Sequence, residues 1–258
     1  MHSSDSLFDL RGKVALITGA SSGFGRHFAG VLSRAGARVG LTARRIEPLQ
    51  AAVAEVTAAG GIAASARLDV SDAESIVSAV VAIEDALGPI DILVNNAGIC
   101  ITKPLLEQTE RDWDDVLDVN LKGAFLMATE VARRMRDRKR GGSIINIQSI
   151  LSFRQAGHIT PYAASKAALN QLTKSMALEL ARYNIRVNGI APGYFLTDIS
   201  RDFFASEAGA AMLKRIPQRR LGRFEDLDGP LLLLASDASR YMTGSTIVVD
   251  GGHLCSNL

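Results

Sequence analysis

The chain has 258 residues, of which 47% are hydrophobic and 22% charged, and its formal net charge is +2. This composition is typical of a folded protein and excludes fibrous and disordered classes, while so small a net charge gives no reason to expect a nucleic-acid partner. The longest apolar run, residues 230–235, is far shorter than the roughly 20 residues that span a bilayer. The first residues lack a basic segment followed by an apolar one, so we expect a cytoplasmic protein that has no membrane partner.

Short β-branched runs alternate with longer segments of helical period. Strands are predicted at residues 14–18, 38–42, 63–68, 91–96, 143–149, 186–191 and 245–250. Helices are predicted after the first strand and near residues 47–59, 72–87, 110–137, 162–183 and 224–236. Such alternation builds a parallel sheet covered by helices on both faces. We therefore predict one α/β domain over residues 1–258, a doubly wound Rossmann domain with about seven parallel strands.

The sequence TGASSGFG, residues 18–25, follows the first predicted strand and opens the first helix. Its glycines allow a tight turn and a close approach to a diphosphate, whose charge meets the N–H groups at the helix start. A tight turn without a ligand is the alternative, but the strand before it and the amphipathic helix after it favour a dinucleotide. The residues expected to contact the cofactor here are Gly19, Ser21, Ser22, Gly23, Phe24 and Gly25.

The end of the second strand indicates which nicotinamide cofactor is preferred. An acidic residue there would bond the ribose 2′-OH and repel a 2′-phosphate, but this chain has Ala43 followed by Arg44 and Arg45. Two guanidinium groups can receive a phosphate through charge-assisted hydrogen bonds, although they could also be a solvated helix start. The pattern predicts NADP(H), with NAD(H) as the alternative cofactor.

Polar residues follow two later strands and precede a helix. The segment NNAG, residues 95–98, and Ser149 lie where parallel strands end, on the edge where open α/β sheets bind ligands. Tyr162 and Lys166 are four residues apart and share one helix face, with Thr160 as the expected N-cap and Pro161 as the expected first helical residue. An ammonium about 4 Å from the phenol could lower its pKa by roughly two to three units. The pair could therefore act as a general acid/base.

Taken together, these motifs resemble those of the short-chain dehydrogenase/reductase family over nearly the whole chain. The motifs that match are TGASSGFG, NNAG, the asparagine in DVNLKG, a serine, Tyr-x-x-x-Lys and PG followed by a threonine. Phe24 departs from the family pattern, in which a smaller aliphatic residue usually stands there. The resemblance implies that Asn120, Ser149, Tyr162 and Lys166 are catalytic. It also implies that Asp69, Val70, Asn96, Ala97, Gly98, Tyr162, Lys166, Pro192, Gly193 and Thr197 contact the cofactor.

The chemistry implied by this resemblance is reversible hydride transfer between the nicotinamide and a ketone or secondary alcohol. Tyr162 would exchange the proton, Ser149 would hold the carbonyl oxygen, Lys166 would bind the nicotinamide ribose and lower the phenol pKa, and Asn120 would hold a relay water. Family members are commonly homotetramers, with the helices that carry Asn120 and Tyr162 at one interface.

The substrate is the least determined part of the prediction. The segment 194–224 follows a strand without clear periodicity and is expected to be a substrate lid, with a packed surface loop as the alternative. Ser149, Gln155, Tyr162 and Tyr194 are the expected substrate contacts. The favoured function is a 3-oxoacyl-type carbonyl reductase, because the basic run 133–140 could receive an acidic carrier protein; that run could also be a solvated helix end.

Two other functions remain as alternatives. One is a dehydrogenase of sugars, polyols or other secondary alcohols, to which Gln155 and Arg201 would contribute hydrogen bonds. The other is a non-catalytic NADP-binding regulatory protein, which the intact catalytic residues disfavour. No spacing among the four histidines and two cysteines resembles a metal site, so no metal is expected.

Overall fold

The computed structural model describes residues 7–196, 204 and 206–255. Its strands form one parallel sheet in the order β3-β2-β1-β4-β5-β6-β7. The predicted doubly wound fold with seven parallel strands is confirmed. The strands are β1 (Val14–Thr18), β2 (Arg38–Ala43), β3 (Ala63–Arg67), β4 (Ile92–Asn95), β5 (Gly142–Ile147), β6 (Ile185–Pro192) and β7 (Thr246–Val249).

Helices connect the strands and cover both faces of the sheet. They are α1 (Gly23–Arg34), α2 (Ile46–Ala58), α3 (Ala73–Leu87), α4 (Glu110–Leu117), α5 (Gly123–Asp137), α6 (Thr160–Leu180), α7 (Glu207–Leu213) and α8 (Asp228–Ala235). The strand order reverses between β1 and β4, and in such sheets the ligand crevice lies outside the carboxyl ends of the strands at this point. None of the described helices is long and apolar enough to cross a membrane.

Two apolar layers hold the sheet between the helices. On one face Phe28 and Leu32 of α1 pack with Leu49 of α2, and on the other Met127 and Val131 of α5 pack with residues of α3. The five residues of β1 are fully buried, as expected for a central strand of a parallel sheet that is covered on both faces. The core therefore supports the strand ends from which the functional loops emerge.

Three helix boundaries differ from the sequence-based expectation. The helix predicted at 110–137 is interrupted by a π-helical turn at Asp118–Lys122, between α4 and α5. Helix α6 begins at Thr160, so the prediction that Thr160 is its N-cap was wrong: Ile159 is the N-cap and its carbonyl accepts the bond from Ala163 N at 3.0 Å. The last predicted helix starts with a 3-10 turn, Phe224–Leu227.

A chain of buried polar side chains ties α6 to the sheet. Asn95 Nδ2 donates to Asn146 Oδ1 at 3.0 Å, and the Nδ2 of Asn146 donates to the hydroxyl of Thr173 at 2.9 Å. Gln148 Nε2 donates to the same hydroxyl at 3.0 Å, and Thr246 Oγ1 bonds Gln148 Oε1 at 3.2 Å. Because buried polar groups are costly unless paired, these bonds allow few alternative positions of α6.

Candidate active site

A cleft of about 950 Å³ opens at the carboxyl edge of β1, β2, β4, β5 and β6. This volume is at the upper end of the range for small-molecule sites. Most of the residues that the sequence nominated line it. They are Gly19, Ser21, Ser22, Gly23, Phe24, Arg44, Arg45, Asp69, Val70, Asn96, Ala97, Gly98, Ser149, Tyr162, Lys166, Pro192, Gly193 and Tyr194.

The glycines after β1 shape the diphosphate end of the cleft. Gly19 and Gly23 have φ angles of +66° and +55°, which glycine adopts without steric cost. Gly25 does not line the cleft, but a Cβ atom built on it would stand 2.5 Å from the Gly19 carbonyl oxygen, so a side chain there would displace the loop. The first turn of α1 is not capped by the Ser22 side chain. Its N–H groups therefore suit an anionic group.

The part of the cleft that follows β2 and β3 carries the two arginines and an aspartate. Ala43 is buried at the end of β2, with Arg44 and Arg45 directly after it and exposed. Asp69 accepts bonds from the amide and hydroxyl of Ser71 at 3.0 and 2.7 Å. The Ser71 hydroxyl bond, aided by the nearby Arg44 and Arg67, holds the pKa of Asp69 below its usual range. Asp69 is thus an ionised acceptor at neutral pH.

The NNAG segment is bonded to the end of β1. Thr18 Oγ1 accepts from the backbone amides of Asn96 and Ala97, each at 3.0 Å. Asn96 Nδ2 in turn donates to the carbonyl oxygen of Thr18 at 2.9 Å. These bonds fix the wall on which Gly98 faces the catalytic side chains: a Cβ atom built on Gly98 would stand 3.6 Å from Lys166 Nζ.

Asn120 lies in the π-helical turn and is 1% exposed. Its side chain bonds the backbone of Ile99 in both directions, accepting from the amide at 2.8 Å and donating to the carbonyl at 2.9 Å, and it donates to Ser165 Oγ at 3.1 Å. Asn120 therefore connects the NNAG segment to α6. A π-turn inside a helix is frequently found at functional sites, and the relay role of Asn120 stays a prediction.

Ser149, Tyr162 and Lys166 meet at the floor of the cleft. Ser149 Oγ accepts from the Leu151 amide at 3.1 Å, which leaves its hydroxyl proton for another acceptor. Lys166 Nζ donates to the carbonyl oxygen of Ile147 at 2.8 Å and lies 5.6 Å from the centre of the Tyr162 ring. Lys166 is 4% exposed, whereas Tyr162 is half-buried.

Burial controls the protonation of this group, and here one expectation was wrong. Burial raises the pKa of Tyr162 to about 12, against a smaller lowering by the hydrogen-bonding side chain of Ser149. Burial also lowers the pKa of Lys166 to about 8. The pKa of the phenol is therefore raised and not lowered as expected, because loss of solvation dominates, and Lys166 Nζ donates to the Ile147 carbonyl. At neutral pH the phenol is neutral and able to donate a proton.

The predicted substrate contacts divide into those at the cleft and those away from it. Ser149, Tyr162 and Tyr194 line the cleft. Gln155, which follows the short 3-10 turn at Ile150–Ser152, is exposed and is not among the described residues that line it. Thr197 and Arg201, nominated from the sequence, lie outside the described residues.

Several lining residues were missed by sequence reasoning. Cys100, two residues after NNAG, lies near enough to Tyr162 and Lys166 to act on the pKa values of both. Gln148 and Phe195 also line the cleft. Their positions next to Ser149 and Tyr194 were the only signal in the sequence. Their residue types carried no chemical pattern.

A group of charged and aromatic side chains surrounds Tyr194. The Tyr194 and His253 rings lie 5.5 Å apart, and Arg154 Nη1 donates to the His253 carbonyl at 2.7 Å. Burial raises the pKa of Tyr194, while Arg154 and Arg215 act in the opposite direction. Both guanidinium groups therefore lie near the Tyr194 end of the cleft, where the Asp250 carboxylate opposes their effect on the pKa of His253.

A doubly wound sheet, a glycine turn at a helix start, and a serine, a tyrosine and a lysine that meet at the carboxyl edge of the sheet define a nicotinamide-dependent oxidoreductase. The family model described as Enoyl-(Acyl carrier protein) reductase matches residues 19–253. The chain belongs to the short-chain dehydrogenase/reductase family, whose members are NAD(P)-dependent oxidoreductases that act on CH–OH groups.

The chain is similar over nearly its full length to enzymes of sugar acids. It is 43% identical to gluconate 5-dehydrogenase of Gluconobacter oxydans, covering 95% of this chain and 96% of that protein. It is also 43% identical to 5-keto-D-gluconate 5-reductase of Escherichia coli, covering 97% and 98%. A crystal structure of a gluconate 5-dehydrogenase from Burkholderia cenocepacia in complex with NADP and tartrate superposes with a TM-score of 0.94 at 40% identity, covering 98% and 100%.

Proposed function

We propose that this protein is an NADP(H)-preferring oxidoreductase that interconverts a ketone and a secondary alcohol on a polyhydroxy carboxylic acid of the gluconate class. The observation that carries the substrate class is the presence of Arg154 and Arg215 at the Tyr194 end of the cleft, near enough to act on the pKa of Tyr194 although neither is among the described residues that line the cleft. A carboxylate would be attracted to that end. The relatives support the same class, because those with 43% identity are named for gluconate and 5-keto-D-gluconate.

The cofactor proposal rests on the end of β2. No carboxylate stands at Ala43 to repel a 2′-phosphate, and Arg44 and Arg45 line the cleft beside it. The gluconate 5-dehydrogenase that this chain resembles was crystallised with NADP, which supports the same preference. The glycine turn and the first turn of α1 would hold the diphosphate. The bound nicotinamide would supply or accept the hydride.

The residues of the chain supply position and a proton. As the substrate ketone is reduced, the neutral phenol of Tyr162 donates its proton to the carbonyl oxygen, and the Ser149 hydroxyl holds that oxygen by a hydrogen bond. The buried Lys166 keeps its Nζ beside Gly98 and under Tyr162, where a ribose hydroxyl could accept from it. Alcohol oxidation instead requires the phenolate. Because burial raises the pKa of Tyr162, oxidation should be favoured by alkaline pH and reduction by neutral pH.

The expected 3-oxoacyl reductase activity has less support than its sugar-alcohol alternative. The relatives described above are named for sugar-acid substrates, gluconate and 5-keto-D-gluconate. In addition, two arginines of the basic run 133–140 are bound within the chain: Arg134 Nη1 and Arg138 Nη1 lie 2.9 and 2.6 Å from the oxygens of Glu84. That pairing leaves less of the run for an acidic carrier protein.

Two further features are proposals of the same kind. The segment 194–224 would border the substrate, which is supported by Tyr194 and Phe195 lining the cleft. A homotetramer would form through the exposed apolar side chains of α4, α5 and α6, described below.

A panel of substrates tests the proposal. With NADPH and NADP, we expect turnover of 5-keto-D-gluconate and gluconate to exceed that of uncharged keto-sugars, polyols and 3-oxoacyl thioesters. Turnover confined to the thioesters would contradict the proposed substrate class.

The charge of Arg215 can be tested in the same assay. Arg215→Gln should raise the KM for the sugar acid by about three- to tenfold and leave the KM of an uncharged substrate nearly unchanged. Lys214→Gln, which removes the neighbouring exposed charge, is the matched control. An equal rise of KM in both variants would remove the argument from Arg215.

A further inference from the structure

One aromatic side chain of the glycine turn contacts both ends of the segment 194–224. The Phe24 ring lies 5.2 Å from the Phe195 ring and 5.1 Å from the Phe224 ring, in edge-on arrangements. Aromatic pairs prefer this geometry at these separations. Phe195 comes directly after Tyr194, and Phe224 begins the 3-10 turn that leads into α8.

The two ends of the segment are also bonded to one another. The Gly222 amide donates to the Tyr194 carbonyl at 2.9 Å, and Phe195 pairs with Gly222 in an isolated parallel bridge. A Cβ atom built on Gly222 would stand 2.5 Å from the Phe195 ring, so only glycine lets the ring lie across that backbone. The two ends of the segment therefore pack against each other, and Phe24 of the glycine turn packs against both.

The position of Phe24 is fixed from the cofactor side. It stands between Gly23 and Gly25, and Gly25 packs so closely on the Gly19 carbonyl and Asn96 that no side chain fits. Phe24 itself lines the cleft together with Phe195 and Tyr194. A chain of direct contacts and one peptide bond therefore connects the diphosphate loop to Tyr194 at the substrate end.

We propose that Phe24 is a positioning residue for substrate: its ring holds Phe195 and Phe224 against the diphosphate loop and thereby sets the place of Tyr194. This inference deepens the proposed function and rests on it for the identity of the substrate. In this arrangement the glycine turn that receives the cofactor also supports Tyr194, through the Phe24 ring. A smaller aliphatic side chain at position 24 would leave both rings without their common contact.

Limited proteolysis tests the contact without any assumption about the substrate. Lys214, Arg215, Arg219 and Arg220 are exposed trypsin sites within the segment. At a temperature well below the melting temperature of each protein, Phe24→Leu should speed cleavage at these sites by about fivefold or more, because local opening of the segment becomes easier. Leu32→Ala removes a fully buried side chain from the same helix, α1, and should not speed it.

Steady-state kinetics test the consequence for substrate. Phe24→Leu should raise the KM of the substrate found in the panel by about three- to tenfold, with a smaller change in kcat. Phe224, unlike Phe24, is not among the described residues that line the cleft, so in Phe224→Leu the NADPH dissociation constant should stay within about twofold of wild type. Phe224→Leu should reproduce the effect, and the double variant should be no worse than either single one. If Phe24→Leu does not fold, Phe224→Leu is used for both the proteolysis and the kinetic measurement.

Wild-type cleavage rates in both ring variants, or equal acceleration by Leu32→Ala, would overturn the proposal. So would an unchanged substrate KM in both ring variants. If the substrate panel fails, the proteolysis result still decides whether Phe24 holds the segment, so the two failures are distinguishable.

Discussion

At the scale of single residues, burial explains more of the site than pairwise attraction does. Tyr162 and Lys166 are neighbours on one helix face, yet each is shifted toward its neutral form: the pKa of Tyr162 rises to about 12 and that of Lys166 falls to about 8. An ammonium at about 4 Å would have had the opposite effect on the phenol. Sequence spacing indicates which side chains meet, but solvation depends on the whole surrounding structure.

The shifted pKa of Lys166 has a consequence for stability. Its value falls from 10.5 when solvated to about 8 in the folded chain, so between these pH values the unfolded state binds more protons. The contribution of Lys166 to the free energy of unfolding therefore rises with pH across that window, by at most about 1.4 kcal/mol per pH unit. Above pH 10 Tyr162 opposes it, because its raised pKa makes the folded state bind more protons than the unfolded state.

Urea unfolding of the nucleotide-free protein between pH 8 and 10 checks this expectation. Lys166→Met should remove the rise in the free energy of unfolding. Lys174→Met, which removes an exposed lysine of the same helix, should keep it. The same pH dependence in wild type and Lys166→Met would show that the lysine is not shifted.

The residues after β2 govern a second expectation at this scale. Ala43→Asp places a carboxylate where it can bond a ribose 2′-OH and repel a 2′-phosphate. We expect its kcat/KM for NADPH relative to NADH to fall by about tenfold or more, which corresponds to about 1.4 kcal/mol. The control is Ala51→Asp, which adds a carboxylate at an exposed position of α2, away from the cleft. An unchanged cofactor ratio in Ala43→Asp would remove the cofactor argument.

At the scale of elements, the strands were predictable and the exact helix ends were not. The alternation of β-branched runs with helical segments placed all seven strands within two residues of their observed bounds. The π-turn at Asp118–Lys122 was not predictable, because the apolar period continues through it. The extra residue is accommodated by side-chain bonds of Asn120 to Ile99 and Ser165, which are distant in sequence.

The residues of the site, like the helices and strands, were predictable where local spacing positions them and not where tertiary contacts do. The glycine turn and the Tyr162–Lys166 pair could be placed from local spacing, since a strand and a helix position each of them. Gln155 could not, because the direction of the chain after Ile150–Ser152 depends on tertiary contacts such as the bond from Ser152 Oγ to the Lys166 carbonyl at 2.8 Å. Cys100 and Phe195 line the cleft, and the only indication of this in the sequence was their position close to NNAG and next to Tyr194.

At the scale of the whole molecule, exposed apolar side chains indicate where copies of the chain would meet. Trp113 on α4, Phe125 on α5 and Leu178 on α6 are 42%, 45% and 83% exposed. Exposed apolar side chains are typical of protein interfaces where they form a contiguous patch. These helices include the one that carries Tyr162 and flank the turn that carries Asn120, so assembly there would stabilise the wall of the active site.

A light-scattering measurement of mass tests the assembly. Leu178→Glu should shift the protein from a tetramer to smaller species, because a buried unpaired carboxylate is costly. Val77→Glu, on the exposed face of α3, should leave the mass unchanged. A tetramer that persists in Leu178→Glu would exclude Leu178 from the interface, and a monomeric wild type would contradict the assembly itself.

The central claim is that the Tyr162 phenol exchanges a proton with a sugar-acid substrate while hydride is transferred. The most direct measurement compares kcat/KM for the reduction of 5-keto-D-gluconate by NADPH in wild type and in Tyr162→Phe, with the NADPH dissociation constant measured alongside. We expect a loss of about 10²- to 10⁴-fold in kcat/KM with NADPH binding nearly unchanged. A Tyr162→Phe enzyme that keeps turnover close to that of wild type would contradict the claim.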